Sequence, residues 1–145
     1  MKQLMTDGEL SVFSGQLAMI LHSGISTLEG IEILKEDAVS KEAGEILCSI
    51  NEALEQTGDL ADSLRTSGVF PEYFIKMTEI GERSGTLEDV MDGLSSYYSR
   101  QDSLARSIRD ALTYPLILLA MLFGILLVLM TQVMPVFREV FDQLG

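Results

Sequence analysis

The sequence of 145 residues is long enough for one domain with a core of ordinary size, and too short for a multidomain enzyme. A formal net charge of −12 at pH 7 leaves no basic surface for the phosphate backbone, so no nucleic-acid partner is expected. With one cysteine, Cys48, the chain cannot form an internal disulfide, and with one histidine, His22, it cannot form a zinc cage. We interpret Cys48 as a core residue and His22 as an ordinary side chain.

Capping signals divide the first part of the chain into helices. Thr6 and Glu9 have the spacing of a capping box, and Gly24 suits the left-handed position that ends a helix. Ser26 and Glu29 repeat the capping box, so the first two helices are predicted to form a tight hairpin. Apolar residues at helical spacing point inward: Leu10, Phe13, Leu17, Ile20 and Leu21, then Leu28, Ile31, Leu34 and Ala38.

Three further helices are predicted from similar signals. Ser40 caps a third helix that stops at Gly58, and Asp59 starts a short fourth one. Pro71 fits the first turn of a fifth helix, which Gly85 ends. The predicted inward residues are Ala43, Ile46, Leu47, Ile50, Leu54, Leu60 and Leu64, and in the fifth helix Phe74, Met77 and Ile80, with Gly81 allowing a neighbour to approach closely.

The sixth pattern opens at Thr86 and shows no stop signal before a long apolar run. No charged side chain occurs from Leu116 to Phe137, and these 22 residues would span roughly 33 Å as a helix, against a hydrocarbon core of about 30 Å. We therefore predict one membrane crossing. The alternative is a buried core helix in a soluble bundle, and a signal peptide is excluded by the position of the run.

The flanks of the run predict its orientation. Arg100, Arg106 and Arg109 precede it, whereas only Arg138 follows it, so the part before the run should be cytoplasmic. Tyr114 fits the aromatic belt at a membrane surface. The neighbouring residue is Pro115, which predicts a bend of the helix near the same surface.

The predicted fold is all-α: a six-helix cytoplasmic bundle whose last helix continues into a single transmembrane helix. The expected boundaries are residues 1–112 for the bundle, 113–137 for the membrane helix and 138–145 for a short tail.

The sequence lacks the reactive groups that would predict an enzyme. The sequence has neither a phosphate-binding glycine loop nor a nucleophile with a base, so no catalytic residue, metal ligand or cofactor is predicted. Carboxylates do share helix faces, as at Glu29, Glu32 and Glu36. Such a group is a solvated surface, an acidic docking face for a basic partner, or a hard-cation site.

The order of several motifs resembles the F domain of type II secretion systems, shared by the inner-membrane platform proteins of type IV pilus and competence machines. The strongest match is G-E-R-S-G-T-L from Gly81 to Leu87, with Glu82 and Gly85 inside it. Further matches are Phe13, Gln16-Leu17-Ala18, Leu21 and Gly24; Gly58, Leu60 and Leu64; Phe70-Pro71; Ala111-Leu112-Thr113-Tyr114-Pro115; and Pro135-Val136-Phe137.

The resemblance implies a non-enzymatic platform in the bacterial inner membrane. Such proteins contact a cytoplasmic assembly ATPase, pass its motion to pilins or pseudopilins, and are expected to form homo-oligomers. Family members usually carry two such domains and about three membrane helices, so this chain is a fragment, a truncated product or a single-domain member. We expect Gly81 and Gly85 to permit close helix packing that stiffens this coupling.

Two other functions stay open. One is a single-span adaptor whose helical domain binds a soluble cytoplasmic partner, outside any secretion machine. The other is a membrane enzyme that uses a carboxylate-bound divalent ion, although no base or nucleophile converges with the carboxylates.

Overall fold

The computed structural model describes residues 4–145, and within that part every regular element is a helix. The all-α prediction with six helices is confirmed. The chain separates into two compact units, one ending at Ser103 and the other covering Leu104–Gly145. The helices are α1 (Asp7–His22), α2 (Thr27–Glu36), α3 (Lys41–Thr57), α4 (Leu60–Ser67), α5 (Glu72–Ser84) and α6 (Leu87–Leu144).

The predicted helix starts are largely confirmed, because they depend on contacts between residues three apart. The Thr6 hydroxyl accepts from the Glu9 amide at 3.3 Å, and the Glu9 carboxylate accepts from the Thr6 amide at 2.8 Å, which completes the capping box of α1. The side chains that accept at the starts of α2, α3 and α4 are those of Ser26, Ser40 and Asp59.

The predicted helix ends are also found. Gly58 and Gly85 have positive φ of 68° and 71° and close α3 and α5, and Gly24 follows α1 with a φ of 80°. Pro71 is the exception, because it lies one residue before α5 and not in its first turn. Its ψ of 151° is extended, so it flanks the helix and Glu72 is the first helical residue.

Aromatic rings from four positions form the centre of the first unit. Phe74 of α5 contacts Phe13 of α1, Tyr98 of α6 and Phe70 from the loop before α5, and Phe70 also contacts Phe13. The ring centroids in these pairs are 5.1 to 6.1 Å apart. Burial raises the pKa of Tyr98 to about 12, because ionisation would leave a phenolate with little water around it. The largest aliphatic side chains that are fully buried around them are Leu10, Leu17, Ile31, Ile50, Leu60, Leu64 and Met91.

Two residues predicted to point inward are exposed. Leu28 is 40% exposed and Ile80 is 56% exposed, while Thr78 of α5 is fully buried. Each residue turns the direction of a helical side chain by about 100°, so the buried face of α5 follows Phe74 and Thr78 and leaves Ile80 outside. Cys48 is exposed on α3, where its thiol faces the Glu52 carboxylate, so its assignment to the core is wrong.

The second unit consists of the later part of α6. Its large apolar side chains are exposed throughout, and its most apolar stretch of 18 residues has a mean hydropathy of 2.7 with none of those residues buried. By length and composition, this helix could cross a membrane. Pro115 and Pro135 both lie inside it, and the bend at Pro115 stays a prediction.

Candidate functional site

Four of the residues singled out in the sequence line one cleft. Gly58 at the end of α3 lies there together with Gly81, Glu82 and Gly85 from the end of α5, and the cleft encloses about 440 Å³. We call it the glycine cleft. Its remaining lining residues come from α1, α2 and α6: Leu21, Thr27, Leu87 and Glu88.

Glu82 joins two helices at the edge of this cleft. Its two carboxylate oxygens accept hydrogen bonds from the amides of Leu60 and Ala61, at 2.6 and 3.0 Å. These amides belong to the first turn of α4, where they have no partner within the helix, and the helix dipole favours a negative charge. Burial raises the pKa of Glu82, and the two amide bonds partly oppose that shift. Glu82 therefore fastens α5 to the start of α4.

Gly81 lies at a close approach of α5 and α6. A Cβ atom at this position would come 3.0 Å from Val90 Cγ2 and 3.1 Å from the Cα of Leu87. The prediction of close packing thus agrees with the geometry at Gly81. It is wrong at Gly85, where a Cβ would meet nothing within 4 Å and the glycine is required by its positive φ.

His22 connects α1 to α6 beside the cleft. Its Nε2 lies 2.8 Å from the Asp92 carboxylate and its Nδ1 lies 3.8 Å from that of Glu88. The hydrogen bond with Asp92 raises the pKa of His22, and Glu88 and Asp89 add to that shift. No sequence pattern indicates this contact, because His22 and Asp92 are 70 positions apart.

The acidic group of α2 lies outside the glycine cleft. Glu29, Glu32 and Glu36 are exposed and share one side of the helix. Within residues 4–145, no three His, Cys, Asp or Glu side chains are arranged to hold a metal ion, so a hard-cation site here is not supported. The solvated surface and the docking face require no such arrangement.

The other motif residues are spread over the structure. Phe13 lies in the aromatic core and Gln16 is exposed on α1, while Gly24 closes the turn between α1 and α2. Tyr114, Pro115 and Pro135 are exposed along the second unit. The sequence motifs therefore identify one cleft, one core position and several helix boundaries.

Comparison with known proteins accounts for this arrangement of motifs. A family model described as type II secretion system, protein F, matches residues 13–135, which is most of the chain. The chain belongs to the type II secretion system protein F family. The matched stretch includes the aromatic core, the glycine cleft and the apolar part of α6.

Curated relatives of this family carry three kinds of name. The chain is 29% identical over 137 residues to a type IV pilus assembly protein PilC of Thermus thermophilus, covering 94% of this chain and 34% of that protein. It is 27% identical to a type II secretion system protein F of Aeromonas hydrophila, covering 94% of this chain and 36% of the relative. It is also 32% identical to a protein transport protein HofC homolog of Escherichia coli, covering 87% and 32%. The chain thus spans about one third of the length of these relatives.

Proposed function

We propose that this chain is a platform component of a type IV pilus or type II secretion machine in the bacterial inner membrane. One observation carries the proposal: this family member combines an acidic helical bundle with an exposed apolar helix. The first 99 residues contain six basic and eighteen acidic residues, so they hold the full net charge of −12. The apolar part of α6 supplies the membrane anchor.

The bundle is proposed to be cytoplasmic. Cytoplasmic flanks of membrane helices carry an excess of basic residues. Three Arg residues precede the apolar run and only Arg138 follows it, which supports a cytoplasmic bundle. Cys48 offers a direct test, because it is the one thiol of the chain and it is exposed. A membrane-impermeant maleimide should label Cys48 only after the inner membrane is opened. In a Cys48→Ser background, Gln143→Cys should be labelled once the layers outside the inner membrane are opened and the inner membrane is still intact. The opposite labelling pattern would refute the orientation.

The platform is proposed to act without catalysis, by transmitting the motion of an assembly ATPase to pilins or pseudopilins. The aromatic core and the fastening of α5 to α4 by Glu82 support this function, because a transmitting body has to resist deformation. Assembly as a homo-oligomer is part of the proposal, since ring-shaped motors call for symmetric partners.

We further propose that Glu29, Glu32 and Glu36 form the docking face for a basic surface of the ATPase. Exposed carboxylates on one helix side speed association with a basic partner and select against acidic ones. Changing all three to Lys should weaken binding of the assembly ATPase of the same organism and reduce its dependence on salt.

A matched control is available on α3. Glu42, Glu45 and Glu52 are also exposed, so changing them to Lys alters the net charge equally at another surface. Equal loss of binding in both triple variants would mean that net charge alone matters. Unchanged binding in the α2 variant would remove the docking face from the proposal.

A further inference from the structure

The part of α6 that precedes the apolar span has an exposed apolar stripe. Leu104, Ile108 and Leu112 are 59%, 60% and 55% exposed. At 3.6 residues per turn, the three side chains lie within about 80° of one another. Arg109 flanks this stripe and Arg106 lies on the opposite side, so Leu104–Tyr114 is amphipathic.

The charge of this segment differs from that of the rest of the chain. Between positions 100 and 112 there are three Arg and two Asp, whereas the whole chain carries −12. An anionic lipid surface repels the acidic bundle and attracts this segment, with each basic residue near the surface giving roughly a fivefold change in affinity.

The length of α6 shows why the stripe needs a covering surface. Leu104 precedes Leu116 by 12 residues, so in an upright helix it would lie roughly 18 Å from the hydrocarbon core, beyond a headgroup layer of about 5 to 8 Å. If this segment of α6 lies along the membrane surface instead, the same stripe faces the acyl chains. Pro115 lies between stripe and span and has no amide for the carbonyl of Ala111, so the helix lacks one backbone hydrogen bond at this point.

We propose that Leu104–Tyr114 is an interfacial segment that binds anionic phospholipid. Leu104, Ile108 and Leu112 enter the boundary between headgroups and acyl chains, and the Arg109 side chain beside the stripe reaches lipid phosphates. The inference rests on the membrane anchor of the proposed function. Lipid is favoured over a second copy of the chain, because two parallel stripes would bring their Arg109 side chains together while phosphate neutralises them.

Spin labels on the full chain in lipid nanodiscs test this inference. In a Cys48→Ser background, single cysteines replace Ile108 on the stripe, Ser107 about 100° around the helix, and Leu122 in the span. With phosphatidylglycerol present, the Ile108 label should be more accessible to oxygen than to a water-soluble nickel chelate, and the Ser107 label should show the reverse. The Leu122 label should be lipid-exposed in phosphatidylcholine as well.

Charge variants separate lipid binding from simple hydrophobicity. Arg109→Gln should lower the population of the interfacial state about fivefold in phosphatidylglycerol nanodiscs. Lys76→Gln removes the same charge from an exposed position on α5 and should leave that population unchanged.

Three results would overturn the inference. A water-accessible Ile108 label beside a lipid-exposed Leu122 label would refute the interfacial segment alone. Strong coupling between Ile108 labels on two chains would assign the stripe to a second copy. A water-accessible Leu122 label would refute the membrane anchor, and the inference with it.

Discussion

Ser11 and Ser95 exchange two hydrogen bonds where α1 crosses α6. Each hydroxyl donates to the carbonyl oxygen of the other residue at 3.0 Å. Gly15 lies one turn further along α1, and a Cβ atom there would come within 2.8 Å of Ser95 Oγ. The reciprocal bonds therefore depend on the missing side chain at Gly15.

Gly15→Ala tests how much this crossing stabilises the first unit. The new methyl group displaces the Ser95 hydroxyl, and loss of one or two neutral hydrogen bonds costs about 1 to 2 kcal/mol. Alanine also favours a helix over glycine by about 1 kcal/mol, which conceals part of the loss. Gly93→Ala is the matched control, because a Cβ at Gly93 of α6 meets nothing within 4 Å.

The measured quantity is the difference in free energy of unfolding between the two variants. Denaturation of the full chain in detergent should find Gly15→Ala about 1 to 2 kcal/mol less stable than Gly93→Ala. Equal stability would mean that Ser95 moves aside without loss.

Glu82→Gln should loosen the start of α4. The neutral side chain keeps one acceptor oxygen, so one of the amides of Leu60 and Ala61 loses its partner, at a cost of about 1 kcal/mol. Hydrogen exchange of these two amides should therefore become faster. Glu72→Gln is the control, since Glu72 is an exposed residue of α5 and pairs only with Lys76 among the ion pairs found in residues 4–145.

The same variant should change the pH dependence of stability. Burial raises the pKa of Glu82, so the folded state binds its proton more tightly than the unfolded chain does. The favourable contribution of this group is present below the ordinary glutamate pKa and is lost as pH rises through the raised one. Glu82→Gln should flatten the stability curve in that window, and an unchanged curve would contradict the assignment to Glu82.

The sequence predicted local features well and distant contacts poorly. The caps at Thr6 and Asp59 involve residues three positions apart, so the pattern contains both partners. The contact of Glu82 with α4 joins positions 22 and 21 residues apart, and nothing in the spacing indicates it. The motif therefore singles out the position of Glu82 but does not indicate that Glu82 caps α4.

Burial was predicted less reliably than helix boundaries for a related reason. An isolated helix pattern shows which apolar residues share a side, but neighbouring helices decide how much of that side is covered. Ile80 fits the apolar spacing of α5, yet the covered strip passes through Thr78. Cysteine is a residue type that is often buried in cores. Cys48, however, lies on the side of α3 opposite the buried Ile50, so it is exposed to water.

His22 should show a raised pKa that depends on Asp92. Its hydrogen bond with Asp92 is the main cause, and Asp92→Asn should bring the pKa back toward the ordinary histidine value. Glu88→Gln should lower it less, because Glu88 is 3.8 Å away and Asp92 2.8 Å. NMR titration reports this directly, since the chain has one histidine.

The shift also fixes the sign of a pH effect on the contact between α1 and α6. Because the folded pKa of His22 is raised, its stabilising contribution is complete below the ordinary histidine pKa and is lost as pH rises through the raised one. Asp92→Asn should remove that dependence. A wild-type contact that strengthens with rising pH in this range would contradict the assignment.

Gly81→Ala should disturb the close approach of α5 and α6. The methyl group would lie 3.0 Å from Val90 Cγ2 and 3.1 Å from the Cα of Leu87, and overpacking of this kind costs about 1 to 3 kcal/mol. Adding Val90→Ala removes the side-chain clash but not the backbone one, so the double variant should recover only part of the stability.

The functional measurement separates a structural role of Gly81 from a role in force transmission. Gly85→Ala strains a positive φ without crowding α6, so it is a control that destabilises by another route. If the close approach stiffens the platform, Gly81→Ala should reduce pilus or pseudopilus assembly more than Gly85→Ala at equal amounts of folded protein. Equal assembly in both variants would limit Gly81 to packing, because lost stability alone would then account for its effect.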